Sequence, residues 1–221
     1  MDATESCVPF TTPLSIIVSG ASQSGKTVWI AKLLKNKREM FTDEIVEIMF
    51  VYSVWQDIYE QMEKEIPGIK FINHIPSKEE IEEFTADSAH RLMVLDDQMS
   101  NMSTCKHFVE IFTVFCHHRK LSTVLVLQNI FTNAPCLRDI TLNVQAICLF
   151  KNMRCSQQVR CLANQMFPGR HKYFLEAYEK ACSQPFSCLI VDLNPRTDVK
   201  LQLRSCVLPG QGPTIVYLPK T

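Results

Sequence analysis

The sequence predicts an α/β fold, a parallel-rich sheet with helices on both faces. Three observations predict it. Short apolar runs rich in β-formers alternate along the chain with amphipathic stretches of helical spacing. Runs such as LSIIVSG (Leu14–Gly20) and VQAICLF (Val144–Phe150) are nearly continuous in apolar residues, as strands buried on both faces are. The polar residues suited to chemistry all follow strands, where sheets of this kind bind ligands.

The elements follow in order. Leu14–Gly20 reads as a short buried strand. GKTVWIAKLLKNK after it has helical spacing, with Val28, Ala31 and Leu34 on one face. Glu47–Ser53 is a second strand, WQDIYEQMEKE (Trp55–Glu65) a second helix and Ile69–Asn73 a third strand. Ser77–Phe84 opens with Ser and acids, a good helix start. RLMVLDD (Arg91–Asp97) is a strand ending in two carboxylates. Cys105–Arg119 is a helix with a stripe at Phe108, Ile111, Phe112 and Phe115. Ser122–Asn129 is a strand ending in amides. Val144–Phe150 and Phe186–Leu193 are further strands, with helices SQQVRCLANQM (Ser156–Met166) and KYFLEAYEKAC (Lys172–Cys182) between them. Val199–Leu208 alternates like a half-buried edge strand. The Pro/Gly-punctuated segment beyond it reads as a surface tail.

Composition narrows the classes. The 221 residues suit one domain with an ordinary core. Lys+Arg and Asp+Glu both number 23, which excludes a strongly basic nucleic-acid-binding domain as a reading of the whole chain. The local basic clusters Lys32–Arg38, His117–Lys120 and Lys151–Arg154 read as solvated helix ends or loops. The ten cysteines contain no C-x-x-C pair, so the usual zinc spacing is missing. Cys148 and Cys188 sit in apolar runs, where Cys acts as a small hydrophobe. Cys105 and His107 with Cys116, His117 and His118 form the one Cys/His cluster, read as a mixed helix face. The N-terminus lacks the basic and apolar regions of a signal peptide, and no apolar run approaches a membrane span. A soluble, intracellular protein without a membrane partner is expected.

Three motifs carry chemistry. GASQSGKT (Gly20–Thr27) fits G-x-x-x-x-G-K-[ST], follows a strand and opens a helix. Gly20 and Gly25 permit tight backbone turns. The N–H groups of Ala21, Ser22, Gln23, Ser24, Gly25 and Val28 can then point at phosphates, helped by the positive end of the helix. Lys26 would reach the β/γ-phosphates and Thr27 would ligate Mg²⁺. Asp96, ending a buried strand, is suited to holding Mg²⁺, and Asp97 to orienting or deprotonating a water. Gln128, ending the next strand, can sense a γ-phosphate or position water, because a neutral amide both donates and accepts.

In that order GASQSGKT, LMVLDD and VLVLQNIF resemble the viral genome-packaging ATPases of the FtsK–HerA superfamily. The resemblance is strongest to those of Polinton/Maverick elements, adintoviruses and poxviruses, and extends over roughly residues 14–208. HHRKLSTVLVLQNIF, ITLNVQAICLFKNMR and FSCLIVDLNP add to it. The resemblance implies a P-loop NTPase fold with a RecA-like sheet. It also implies an ATP- and Mg²⁺-dependent motor that pumps double-stranded DNA into a preformed capsid. Residues 1–13 would be an N-terminal extension, 14–208 the ATPase domain and 209–221 a tail. The implied partners are duplex DNA, a capsid or portal-vertex protein, and copies of the chain in a pentameric or hexameric ring. The implied setting is the host nucleus or viral replication site, with association to the virion. A ring needs an arginine supplied in trans. Arg154 and Arg138 rank above Arg119, which precedes the Gln128 strand and so starts at the opposite sheet edge. Many related motors carry Asp-Glu where this chain has Asp96-Asp97; the Polinton-like group resembles it in having two aspartates. Other uses of the loop are a small-molecule or nucleotide kinase, which usually needs an Arg-rich lid not evident here, and a non-hydrolysing nucleotide-binding scaffold. A GTP switch usually carries N-K-x-D, which is missing.

Overall fold

A computed structural model of the protein describes residues 8–99, 107–130 and 135–219. β1 (Ser15–Ser19) runs into the loop before α1 (Lys26–Lys35) and α2 (Lys37–Met40). β2 (Ile45–Tyr52), α3 (Asp57–Glu65), β3 (Ile69–Ile72), α4 (Lys78–Phe84) and β4 (His90–Asp96) follow. α5 has three pieces, Phe108–Glu110, Ile111–Phe115 and Cys116–His118, the middle one π-helical. Then come β5 (Leu121–Leu127), α6 (Pro135–Asn143), β6 (Ala146–Phe150), α7 (Ser156–Met166), α8 (His171–Ala181), β7 (Cys188–Asp192), β8 (Leu203–Ser205) and β9 (Ile215–Val216).

The strands form one sheet in the order β3-β2-β4-β5-β1-β6-β7-β8-β9. The six from β3 to β6 are parallel and the last three antiparallel. Every residue of β1, β5 and β6 is buried. One face packs on α1, α2 and α3 through residues such as Ile16, Val18, Leu33 and Met62. The other packs on α4 to α8 through Ile17, Leu125, Phe112, Ile140 and Phe174. The expected α5 stripe of Phe108, Ile111, Phe112 and Phe115 is wholly buried. α4 starts as its sequence predicts: Ser77 Oγ accepts from Glu80 N–H, and the Glu80 carboxylate accepts from Ser77 N–H. Cys105 of the Cys/His cluster lies outside the described residues. Cys116 is a core group, with its Sγ donating to Leu121 O at 3.1 Å and accepting from Ser15 Oγ at 3.1 Å.

Three expectations are corrected. On α1 the buried stripe is Trp29, Ile30, Leu33 and Leu34, whereas Val28 is 50% exposed and Ala31 half-buried. Burying the larger apolar area of Trp29 and Ile30 sets the rotation of the helix. Strand β7 begins at Cys188, so Phe186 belongs to the preceding turn. Val199–Leu208 forms only the three-residue β8, which is buried rather than an edge. Its neighbour is β9, inside the segment expected as a surface tail; residues 209–219 are all exposed or half-buried, and Tyr173 Oη donates to Tyr217 O at 2.7 Å. The helix α6, which holds Arg138, has no counterpart in the sequence reading.

Candidate functional site

Sheet register sets the site. Val18 of β1 lies level with Val126 of β5, and Val126 with Asp96 of β4. Gly20, Asp97 and Gln128 therefore leave three neighbouring strands in one row at their carboxyl ends. Gly20 N–H donates to Leu127 O at 3.2 Å, tying the first turn of the loop to β5. Gln23 and Gly25 take left-handed φ of 62° and 96°. For Gly25 this is the conformation its lack of a Cβ permits. Lys26 Nζ donates to the carbonyls of Gly20 and Ala21, both at 2.8 Å, so the ammonium sits inside its own loop. Burial pushes the Lys26 ammonium below the usual lysine range, and the charges of Asp96 and Asp97 oppose that shift.

The loop's fit to a phosphate rests on more than spacing. Ser24 Oγ is buried with no hydrogen-bond partner among the described residues. A phosphate oxygen would satisfy that hydroxyl, and an apolar ligand would not. Thr27 is half-buried and borders the same cavity as Lys26 and Asp96.

The two carboxylates differ in setting. Asp96 ends β4 and is 5% exposed. Asp97 leaves the strand with φ 53° and is exposed. Burial raises the Asp96 pKa above the usual carboxylate value, and the Asp97 charge adds to this. A hydrogen bond from Tyr59 and the charge of Lys26 act in the opposite direction. Tyr59 Oη donates to Asp96 Oδ2 at 2.8 Å. Ser53 Oγ donates to Asp97 O at 2.6 Å, and Gln98 Nε2 donates to Ser53 Oγ and Asp96 O, both at 3.1 Å. Ser53 of the β2–α3 connection is thus bonded to Asp97, and Tyr59 of α3 to Asp96.

Lys26, Thr27, Val28, Asp96, Asp97 and Gln128 border one cavity of about 780 Å³. Beyond Gln128 a second cavity of about 780 Å³ holds Ala21, Ser24, Lys151 and Arg154. Asn152 Nδ2 donates to Gln128 O at 3.4 Å, linking the ends of β5 and β6. The three candidate arginines are dispersed. Arg154 lies in the turn after β6, at the second cavity. Arg138 is exposed on α6, and Arg119 precedes β5 at the amino edge of the sheet. Sequence reasoning missed Tyr59, Ser53, Gln98 and Phe186. Tyr59 and Met62 show only as an apolar pair at helical spacing on α3, and nothing local ties Tyr59 to Asp96.

Neither a protein-family model nor a curated protein matches the sequence. Solved structures match the fold. The genome packaging NTPase B204 from Sulfolobus turreted icosahedral virus 2 in complex with AMPPCP has a TM-score of 0.55 and 12% identity, covering 94% of this chain and 98% of that one. The same protein in complex with ATP-gammaS gives 0.54 and 14% with the same coverage. B204, the DNA-packaging ATPase from Sulfolobus turreted icosahedral virus, gives 0.56 and 9%, again covering 94% and 98%. The chain has the P-loop ATPase fold. The expected α/β architecture, a mostly parallel sheet clad by helices on both faces, is therefore correct. Within this P-loop fold, no helix among the described residues is long and apolar enough to cross a membrane.

Proposed function

We propose that the protein hydrolyses ATP to drive double-stranded DNA into a preformed viral capsid, as a ring of identical subunits. The carrying observation is the meeting of Lys26, Thr27, Asp96, Asp97 and Gln128 around one cavity at the carboxyl ends of β1, β4 and β5. That the similar structures are genome-packaging NTPases supports packaging over other uses of the loop. The finer assignment to the Polinton, adintovirus and poxvirus type rests on the sequence motifs alone. So do the capsid or portal partner, the pentameric or hexameric ring and the site of action in the host cell or virion.

In this reading the loop from Gly20 to Val28 wraps the triphosphate with backbone N–H groups. Lys26 leaves its two loop carbonyls for the β/γ-phosphate oxygens. Thr27 and Asp96 hold Mg²⁺, which offsets phosphate charge when bound. Asp97 accepts a proton from the water that attacks the γ-phosphorus as the bond to the β-phosphate oxygen breaks. Gln128 senses the γ-phosphate. A neighbour's Arg154 or Arg138 stabilises charge in the transition state. Zero net charge is compatible, because a ring gathers a few basic residues around its pore.

The test is turnover with and without linear duplex DNA, with sedimentation over a range of salt. The expected result is DNA-stimulated, salt-sensitive hydrolysis that Lys26→Ala and Asp97→Asn abolish. If DNA changes neither turnover nor sedimentation, the motor reading fails. Phosphoryl transfer to a nucleoside monophosphate would establish a kinase, and no turnover in the wild type a scaffold.

A further inference from the structure

Phe186 is unusual in three ways. It is 68% exposed, so core packing does not hold the ring. Its φ of 62° is left-handed, an outlier for a bulky side chain. Its turn is nonetheless held in place, since Ser187 Oγ donates to Gln184 O at 2.6 Å. The ring rests on the phosphate loop: a Cβ built on Gly25 would lie 3.0 Å from Phe186 Cδ1. Gly25 thus meets two demands, its own positive φ and room for this ring.

Phe186 also borders the cavity that holds Lys26, Thr27 and the half-exposed Val28. We propose that Phe186, with Val28, forms the apolar seat for the base of the bound nucleotide. The inference rests on the nucleotide reading of the loop. With phosphates in the cradle, the nucleoside must lie within one ribose of it, against whatever apolar surface the cavity offers. Stacking on an aromatic face serves any base, and truncating such a ring weakens binding roughly five- to hundredfold. The seat therefore adds affinity without choosing between adenine and guanine. A residue held in a strained backbone beside a site is also more readily explained by ligand contact than by packing.

The test measures dissociation constants for ATP, GTP and inorganic tripolyphosphate, each with Mg²⁺, on wild type, Phe186→Ala and Phe186→Trp. Phe186→Ala should weaken ATP and GTP by at least about fivefold and leave tripolyphosphate within about twofold. Phe186→Trp should keep ATP affinity, with indole fluorescence altered by ATP and not by tripolyphosphate. Unchanged ATP affinity in Phe186→Ala overturns the proposal. Equal weakening of tripolyphosphate does too, since the ring would then only shape the loop. A wild type that binds neither ATP nor tripolyphosphate overturns the phosphate-loop reading itself, and the base seat with it.

Discussion

Replacing Tyr59 by Phe removes one buried oxygen and little else. The Tyr59 ring is 1% exposed and packs on Phe50 and Phe71 with centroids 5.0 and 5.3 Å away, contacts that Phe can keep. The hydroxyl donates to Asp96 Oδ2 at 2.8 Å. Burial first, and the Asp96 charge second, push the Tyr59 pKa well above its usual value, so it stays a donor at every working pH. A hydrogen bond to a charged group contributes about 1.5–3 kcal/mol. For a chain of this size that is a fall in Tm of about 3–12 °C. The pH dependence follows from the native Asp96 pKa, which lies above the ordinary 3.8. Ionised Asp96 is disfavoured by folding, so its contribution to stability is lost as pH rises through that raised value. The hydroxyl offsets part of this cost because it favours the carboxylate. The deficit of Tyr59→Phe is thus full where native Asp96 is ionised and shrinks as pH falls through its pKa. Urea unfolding of both proteins at pH 8 and at stepwise lower pH measures it. A deficit under about 0.5 kcal/mol at pH 8, or one that does not shrink on acidification, would refute the reasoning.

Two further outcomes are expected. Arg204→Ala should destabilise by about 3–5 kcal/mol in thermal or urea unfolding, because Arg204 is 1% exposed and donates to Asp192 Oδ2 at 2.8 Å, leaving a buried carboxylate without its counter-ion. A loss below about 1 kcal/mol would mean that water reaches Asp192. If the proposed ring uses Arg154 in trans, rings mixed from Lys26→Ala and Arg154→Ala subunits should recover turnover that neither variant has alone, because some interfaces then join an intact Lys26 to an intact Arg154. Recovery with Arg138→Ala in its place would move the assignment to α6.

What could be read ahead of the structure divides by the range of the interactions involved. The strands β1, β5 and β6 were legible because burial on both faces leaves nearly continuous apolar runs. The capping box of α4 was legible because Ser77 and Glu80 are three residues apart. The rotation of α1 was not, since Val28 and Trp29 compete for the core and only the packed sheet decides between them. β8 misled because its alternation spans ten residues, while only Leu203–Ser205 pair. Burial of Arg204 there depends on Asp192, twelve residues back, and on the Phe10 ring 5.8 Å from its guanidinium.

The site divides the same way. Gly20 to Thr27 form a local device, whose backbone and spacing are written in consecutive residues. Asp96 and Gln128 became candidates only as polar ends of apolar strands, and the register that brings them level with Val18 is a property of the sheet. Ser53 and Phe186 arrive from connections and Tyr59 from the first turn of α3, and their roles depend on a partner tens of residues or more away. Ser53 and Tyr59 flank one short connection, and both are bonded to the Asp96–Asp97 pair. Val54 and Trp55 between them are exposed. Displacement of this connection would alter the buried hydrogen bond on Asp96 and the backbone of Asp97 together. In the proposed motor, mechanical input would therefore enter the chemistry more directly here than through the first turn of the phosphate loop, which the bond from Gly20 N–H to Leu127 O ties to β5.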